Sequence, residues 1–153
     1  MAGDWKVELA NFFEELRILK ESKHEALEDF NQFCEFVVET AFETLEDELI
    51  QYGIKSKIIK VAGKSIAFQI NFSRSRISHF KYTIYFPKGS LNLKLKLKLR
   101  GRKTKNSDAD EKEIDFKIET GPNRILDLEK EDIIQDVIEK YKNFVYESEA
   151  VRE

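Results

Sequence analysis

A second cysteine is missing from this chain: Cys34 stands alone among 153 residues, so no intrachain disulfide forms and no cysteine cluster is available for zinc or iron–sulfur binding. Its place inside an apolar helical run marks it as a buried structural thiol. Long apolar stretches are missing too. None approaches the ~20 residues that a membrane-spanning helix needs, and Asp4, Glu8, Glu14 and Glu15 interrupt any signal-peptide pattern. The cytoplasm is therefore the expected location, and no membrane partner is expected. Histidine is scarce: His24 and His79 lie far apart and belong to no His-x-x-x-His arrangement, so no metal site is expected. Gly63-Lys64-Ser65 ends like a Walker A loop but lacks the upstream glycine, and Ala62-Gly63-Lys64 reads as a hairpin turn. No cofactor is expected either.

The absence with the widest consequence is of acid. Residues 51–107 hold 15 Lys and Arg and no Asp or Glu, net +15. Residues 1–50 carry 4 basic and 14 acidic side chains, net −10, and residues 108–153 carry 7 and 15, net −8. The formal net charge of −3 conceals this segregation. Such sorting bears on which partners a surface attracts, because summed charge sets potential and association rather than fold.

Between Asp4 and Tyr52 there is no Gly and no Pro, and apolar residues recur at helical steps. Trp5, Leu9, Phe12, Leu16 and Leu19, then Ala26, Phe30, Phe33 and Val37, match a heptad seam over four heptads, with Lys23 the one polar entry. Past Val37 the pattern shifts to Ala41, Leu45 and Leu49. An unbroken helix of this span would be roughly 70 Å long, whereas an eight-residue strand spans about 27 Å. Either the helix breaks near residues 20–23, where Ser22-Lys23-His24-Glu25 resembles a capping box, or its N-terminal part projects and needs a partner surface. The break is the preferred expectation. In both cases Trp5, Leu9, Phe12, Phe13 and Leu16 are candidates for self-association.

After Gly53 the period becomes two. Residues 54–61 form a first strand whose Ile58-Ile59 pair suggests an edge or a bulge. Residues 65–72 turn Ile66, Phe68, Ile70 and Phe72 to one face, and residues 79–86 do so with Phe80, Tyr82, Ile84 and Phe86. Pro87-Lys88-Gly89-Ser90 is a turn. Residues 91–100 alternate Leu with Asn92, Lys94, Lys96, Lys98 and Arg100, and residues 112–119 place Ile114, Phe116 and Ile118 inward. A closing helix is expected over 128–147, with Asp127 as N-cap and Ile134, Val137, Tyr141 and Phe144 as its stripe. The fold class is α+β: one domain over 1–153, helical at 4–52, a five-stranded antiparallel meander within 53–119, and helices on one face of the sheet.

No spacing picks out a catalytic residue; acid pairs such as Glu14 with Glu15, or Glu46, Asp47 and Glu48, read as solvated helix faces. The chain is expected to be a non-enzymatic interaction module that self-associates or binds protein. Binding of nucleic acid or another polyanion is the second reading. It would use Lys81, Lys94, Lys96, Lys98 and Arg100 on the outer sheet face, extended by Arg74, Arg76, Arg102, Lys103 and Lys105 in loops. Parity sets Glu113, Asp115 and Glu119 on that same face, so pairs such as Arg100 with Glu113 and Lys98 with Asp115 would neutralise part of it. Lys81, Lys94, Lys96 and the flanking Arg74/Arg76 and Arg102–Lys105 loops are expected to stay free.

Overall fold

With no Gly or Pro to stop it, the N-terminal segment stays helical throughout. The computed structural model describes residues 3–71, 79–90, 92–102, 110–118, 121 and 124–152, without the side chains of Arg102 and residues 148–152. Helix α1 runs Asp4–Phe33, passes without interruption into a π turn at Cys34–Val38, and continues as α2, Glu39–Ile50. The expected break at residues 20–23 is absent, and Ser22 caps nothing. The π turn instead accounts for the shifted pattern. Phe33 and Val38, both buried, are five residues apart, and the wider turn brings them to one face where α geometry would not. Helix α2 ends on Gly53 at φ 72. Gly53 N–H donates to the Ile50 carbonyl and Ile54 N–H to the Leu49 carbonyl, the paired bonds of a Schellman stop that a left-handed glycine permits.

Five antiparallel strands follow in sequential order: β1 Ser56–Val61, β2 Ser65–Asn71, β3 His79–Tyr85, β4 Lys96–Arg102 and β5 Asp110–Asp115. β1 is a regularly paired edge strand, so the Ile58-Ile59 pair marks an edge and no bulge. β4 starts later and ends later than its alternation implies. Leu95 is buried ahead of it, and Phe116 N–H bonds to the Leu95 carbonyl beyond the end of β5. Phe72 and Leu91 lie outside the described residues.

The alternation puts Ile66, Phe68, Ile70, Phe80, Tyr82, Ile84 and Leu97 on one face, all buried. The helices cover that face. Phe42 stacks on Phe68 and meets Tyr82 edge-on, Phe30 stacks on Phe86, and Phe33 tilts against Phe116. Each such ring, fully buried, contributes roughly 1.5–3 kcal/mol. The last helix, α3, spans Lys130–Arg152 after a 3₁₀ turn at Ile125–Asp127. Asp127 therefore closes the 3₁₀ turn and does not cap α3. Instead the Glu129 N–H donates to Asp132 Oδ2 at 2.9 Å, which is the reciprocal half of a capping box. Its buried side chains are Ile133, Asp136 and Val137, with Ile134, Tyr141 and Phe144 packed at the margin.

Candidate functional site

The N-terminal half of α1 leaves the body of the fold. Leu27 overlies Gly63 at the β1–β2 turn, and Ala26 is the first buried residue. Residues 4–25 extend about 30 Å beyond it. On this arm Trp5, Leu9, Phe12, Phe13 and Leu19 are exposed and Leu16 is half-buried. Steps of four and three residues align Trp5, Leu9, Phe12, Leu16 and Leu19 as a seam, flanked on one side by Lys6, Phe13 and Lys20 and on the other by Glu8 and Glu15. Away from the seam, Arg17 pairs with Glu14 at 2.5 Å and Glu21 at 2.8 Å, and His24 lies 3.1 Å from Glu28. Exposed pairs at these spacings support the helix only weakly.

The outer sheet face is the second surface, and strand register sorts its charges. Lys96 stands opposite Asp115, Lys98 opposite Glu113 and Arg100 opposite Glu111. The parity expected for the acids holds, but the expected partners, Arg100 with Glu113 and Lys98 with Asp115, are displaced by two residues because the β4–β5 ladder closes at Gly101 and Asp110. Lys96 is bonded to Asp115 and is not free; the contact raises the lysine pKa and lowers that of Asp115. Lys98 lies 3.2 Å from Glu111. Tyr85, the one Phe, Tyr or Trp on this face among the described strand residues, gives its hydroxyl to Glu113, which lifts its pKa to about 12. The Lys98 ammonium sits 5.5 Å from the centre of the Tyr85 ring.

Further along the face, the register aligns Lys57, Gln69, Lys81 and Arg100 in one row across β1 to β4. Among the described residues none of these three cations has an ion-pair partner. Lys57 joins the row only through strand pairing, which alternation within one strand does not reveal. Lys94 precedes β4 and lines a cleft of about 890 Å³ floored by Leu93, Leu95, Phe116 and Leu128. Arg102 ends β4, with its side chain outside the described residues. Arg74, Arg76, Lys103 and Lys105 lie wholly outside them.

One polar arrangement went unseen in the sequence. Asp136, 5 % exposed, accepts a hydrogen bond from the Tyr82 hydroxyl at 2.5 Å and lies 3.1 Å from Lys140 Nζ. The available signal was an acid flanked by Ile133, Ile134 and Val137. Tyr82 is fully buried, so the pair is a tie between sheet and helix rather than a site a substrate reaches. Burial likewise pushes the Cys34 thiol up to about 12, which leaves it protonated and unreactive. Among the described residues no cluster of His, Cys, Asp and Glu is arranged for a metal ion, and no helix is long and apolar enough to cross a membrane. Compared with known proteins, the chain matches no family, no curated protein and no solved structure.

Proposed function

We propose that this protein is a non-enzymatic interaction module of the cytoplasm that self-associates through the projecting half of α1. The observation behind it is the unpaired seam of Trp5, Leu9, Phe12 and Leu19, continued by Phe13 on its flank. These five side chains expose on the order of 500 Å² of apolar surface per copy, or about 1,000 Å² for two, near the lower bound of specific interfaces. A patch of this size is enough for a specific dimer, whose affinity depends on how well the rings pack and not on the area alone. Sedimentation velocity at micromolar concentration tests it. The full chain should sediment as a dimer and the Leu9→Glu/Phe12→Glu variant as a folded monomer, whereas a monomeric wild-type chain removes the proposal.

A second proposal is polyanion binding along the row Lys57, Lys81 and Arg100, supported by their alignment on three strands with no ion pair to an acid among the described residues, Glu111 standing opposite Arg100 at the end of the row. The ordering of the two follows from Lys96, Lys98 and Tyr85, which are already engaged by Asp115, Glu111 and Glu113. Binding to single-stranded RNA and duplex DNA across salt concentrations separates them. Affinity should fall steeply with salt and be lost in Lys81→Glu/Arg100→Glu; no binding at low salt ends this second proposal.

A further inference from the structure

Phe12 and Phe30 are eighteen residues apart, about five turns of helix, so in a regular helix they point to the same side. Phe30 is 1 % exposed and stacks on Phe86 against the sheet. The projecting seam therefore overhangs on the side where the chain's own sheet lies. A second helix laid along this seam in parallel would run on past Lys23 into the volume filled by that sheet at Ala26, Phe30 and Phe33. Laid antiparallel, it runs away from the sheet, and its own body clears the far end. Resting on the self-association reading, we infer that two copies pair through antiparallel α1 arms, with their sheets at opposite ends of the assembly.

Heptad layers restrict the register to steps of seven residues, and we take the step that covers all five seam residues Trp5, Leu9, Phe12, Leu16 and Leu19. In antiparallel pairing an a position of one helix faces a d position of the other, which sets Leu9 against Leu19 of the second copy and Phe12 against Leu16. The same register places Lys23, the sole polar seam residue, opposite Trp5, a ring suited to receive an ammonium on its face. The two-fold axis falls beside Phe13, so the two Phe13 rings meet. Flanking charges oppose this orientation: Lys6 approaches Lys20 and Glu15 approaches Glu15 of the second copy. A parallel pair would instead bring Glu15 to Lys20. Exposed pairs of this kind are weak and screened by salt, whereas overlap with a packed sheet cannot be relieved without parting the helices.

Spin labels on the outward positions Val7→Cys, Glu14→Cys and Glu21→Cys, introduced one at a time into the full chain, test the orientation. The buried Cys34 stays unlabelled, which the wild-type chain verifies. Antiparallel arms shift Val7 and Glu21 by about 21 Å along the axis from the same residue of the other copy, and Glu14 by none. The distance between copies should be shortest for Glu14→Cys and longer by roughly 5–10 Å for both others. Three equal distances overturn the antiparallel arrangement while leaving self-association intact. No dipolar coupling between copies in any of the three overturns self-association itself.

Discussion

Tyr82 in the central strand and Asp136 in α3 are joined by a hydrogen bond of 2.5 Å across the core. Both are buried, and fifty-four residues separate them. The Lys140 ammonium, 3.1 Å from the other carboxylate oxygen, satisfies the acid from one turn further along. α3 is thus pinned to the sheet at one azimuth. An apolar contact alone would let the helix slide or turn, whereas a buried acceptor left without its donor is penalised.

Replacing Tyr82 with Phe keeps the ring and removes only the donor. The expected loss is about 1–3 kcal/mol, the range for an acceptor left unsatisfied in a core. Urea unfolding of wild type and Tyr82→Phe measures it. An unchanged midpoint would mean that Asp136 is fully satisfied without the tyrosine.

Alkaline pH acts on the same bond. Burial, and then the Asp136 charge and hydrogen bond, hold the Tyr82 pKa well above its ordinary value. A pKa higher in the folded chain contributes stability that is complete below the unfolded value of about 10 and is lost as pH rises towards the folded one. Tyr85, held at about 12 by its bond to Glu113, and Tyr141, raised by burial, act with the same sign. Stability should decline above pH ~10, and Tyr82→Phe should flatten the decline by about 1.4 kcal/mol per pH unit. Equal slopes in urea titrations from about pH 8 to about pH 11 would contradict it.

Gly101 lies under the ring of Phe144. A β-carbon at Gly101 would fall inside van der Waals contact with three atoms of that ring, which itself packs on Phe80. Gly101→Ala should therefore destabilise by about 1–3 kcal/mol, as overpacking does. Combined with Phe144→Ala it should cost less than the two singles summed, by at least about 0.5 kcal/mol. Additive thermal-melt values would place the strain elsewhere.

Much of the fold was legible because period alone carries it. Alternation in Ile66–Phe68–Ile70 and Phe80–Tyr82–Ile84 identified both the strands and their buried face, and the excess length of the first helix over any strand required either a break or a projection. Three things escaped for physical reasons. A slip of two residues between β4 and β5 preserves which face each side chain takes, so alternation could not choose between Lys98 opposite Asp115 and Lys98 opposite Glu113. Ser22-Lys23-His24-Glu25 has the residue types of a helix start, but such a start needs an interruption upstream, and no Gly or Pro supplies one. Tyr82 with Asp136, and Lys57 with Lys81 and Arg100, are juxtapositions made by tertiary pairing and leave only a faint trace in local pattern.

The π turn was visible as a change of phase, and it yields a test by deletion. Removing the exposed Glu35 shortens the Phe33-to-Val38 interval to four residues, so that Phe30, Phe33, Val38, Ala41 and Leu45 follow an unbroken alternation of three and four. The shortened chain should remain α-helical there and fold cooperatively, within about 1–2 kcal/mol of wild type. Deleting the equally exposed Glu43 instead rotates Ala41 and Phe42 by about 100° relative to Leu45 and should abolish cooperative melting. If the two deletions behave alike, the π turn is not what reconciles the two stripes.

Trp5 reports on the arm without any label, because it is the only tryptophan in the chain. In the single copy the residue is 56 % exposed, with the Lys6 ammonium 5.5 Å from the centre of its ring. Antiparallel pairing moves it into the seam beside Lys23 of the second copy and removes most of its water. Emission should shift to shorter wavelength as concentration rises, over the same range in which sedimentation mass doubles. Lys23→Glu should weaken the pair, since it sets an anion on the negative ring face, whereas Glu21→Gln, on the outward side, should leave the midpoint unchanged. A mass that doubles while Trp5 emission stays constant would move self-association away from the arm and onto another surface of the protein.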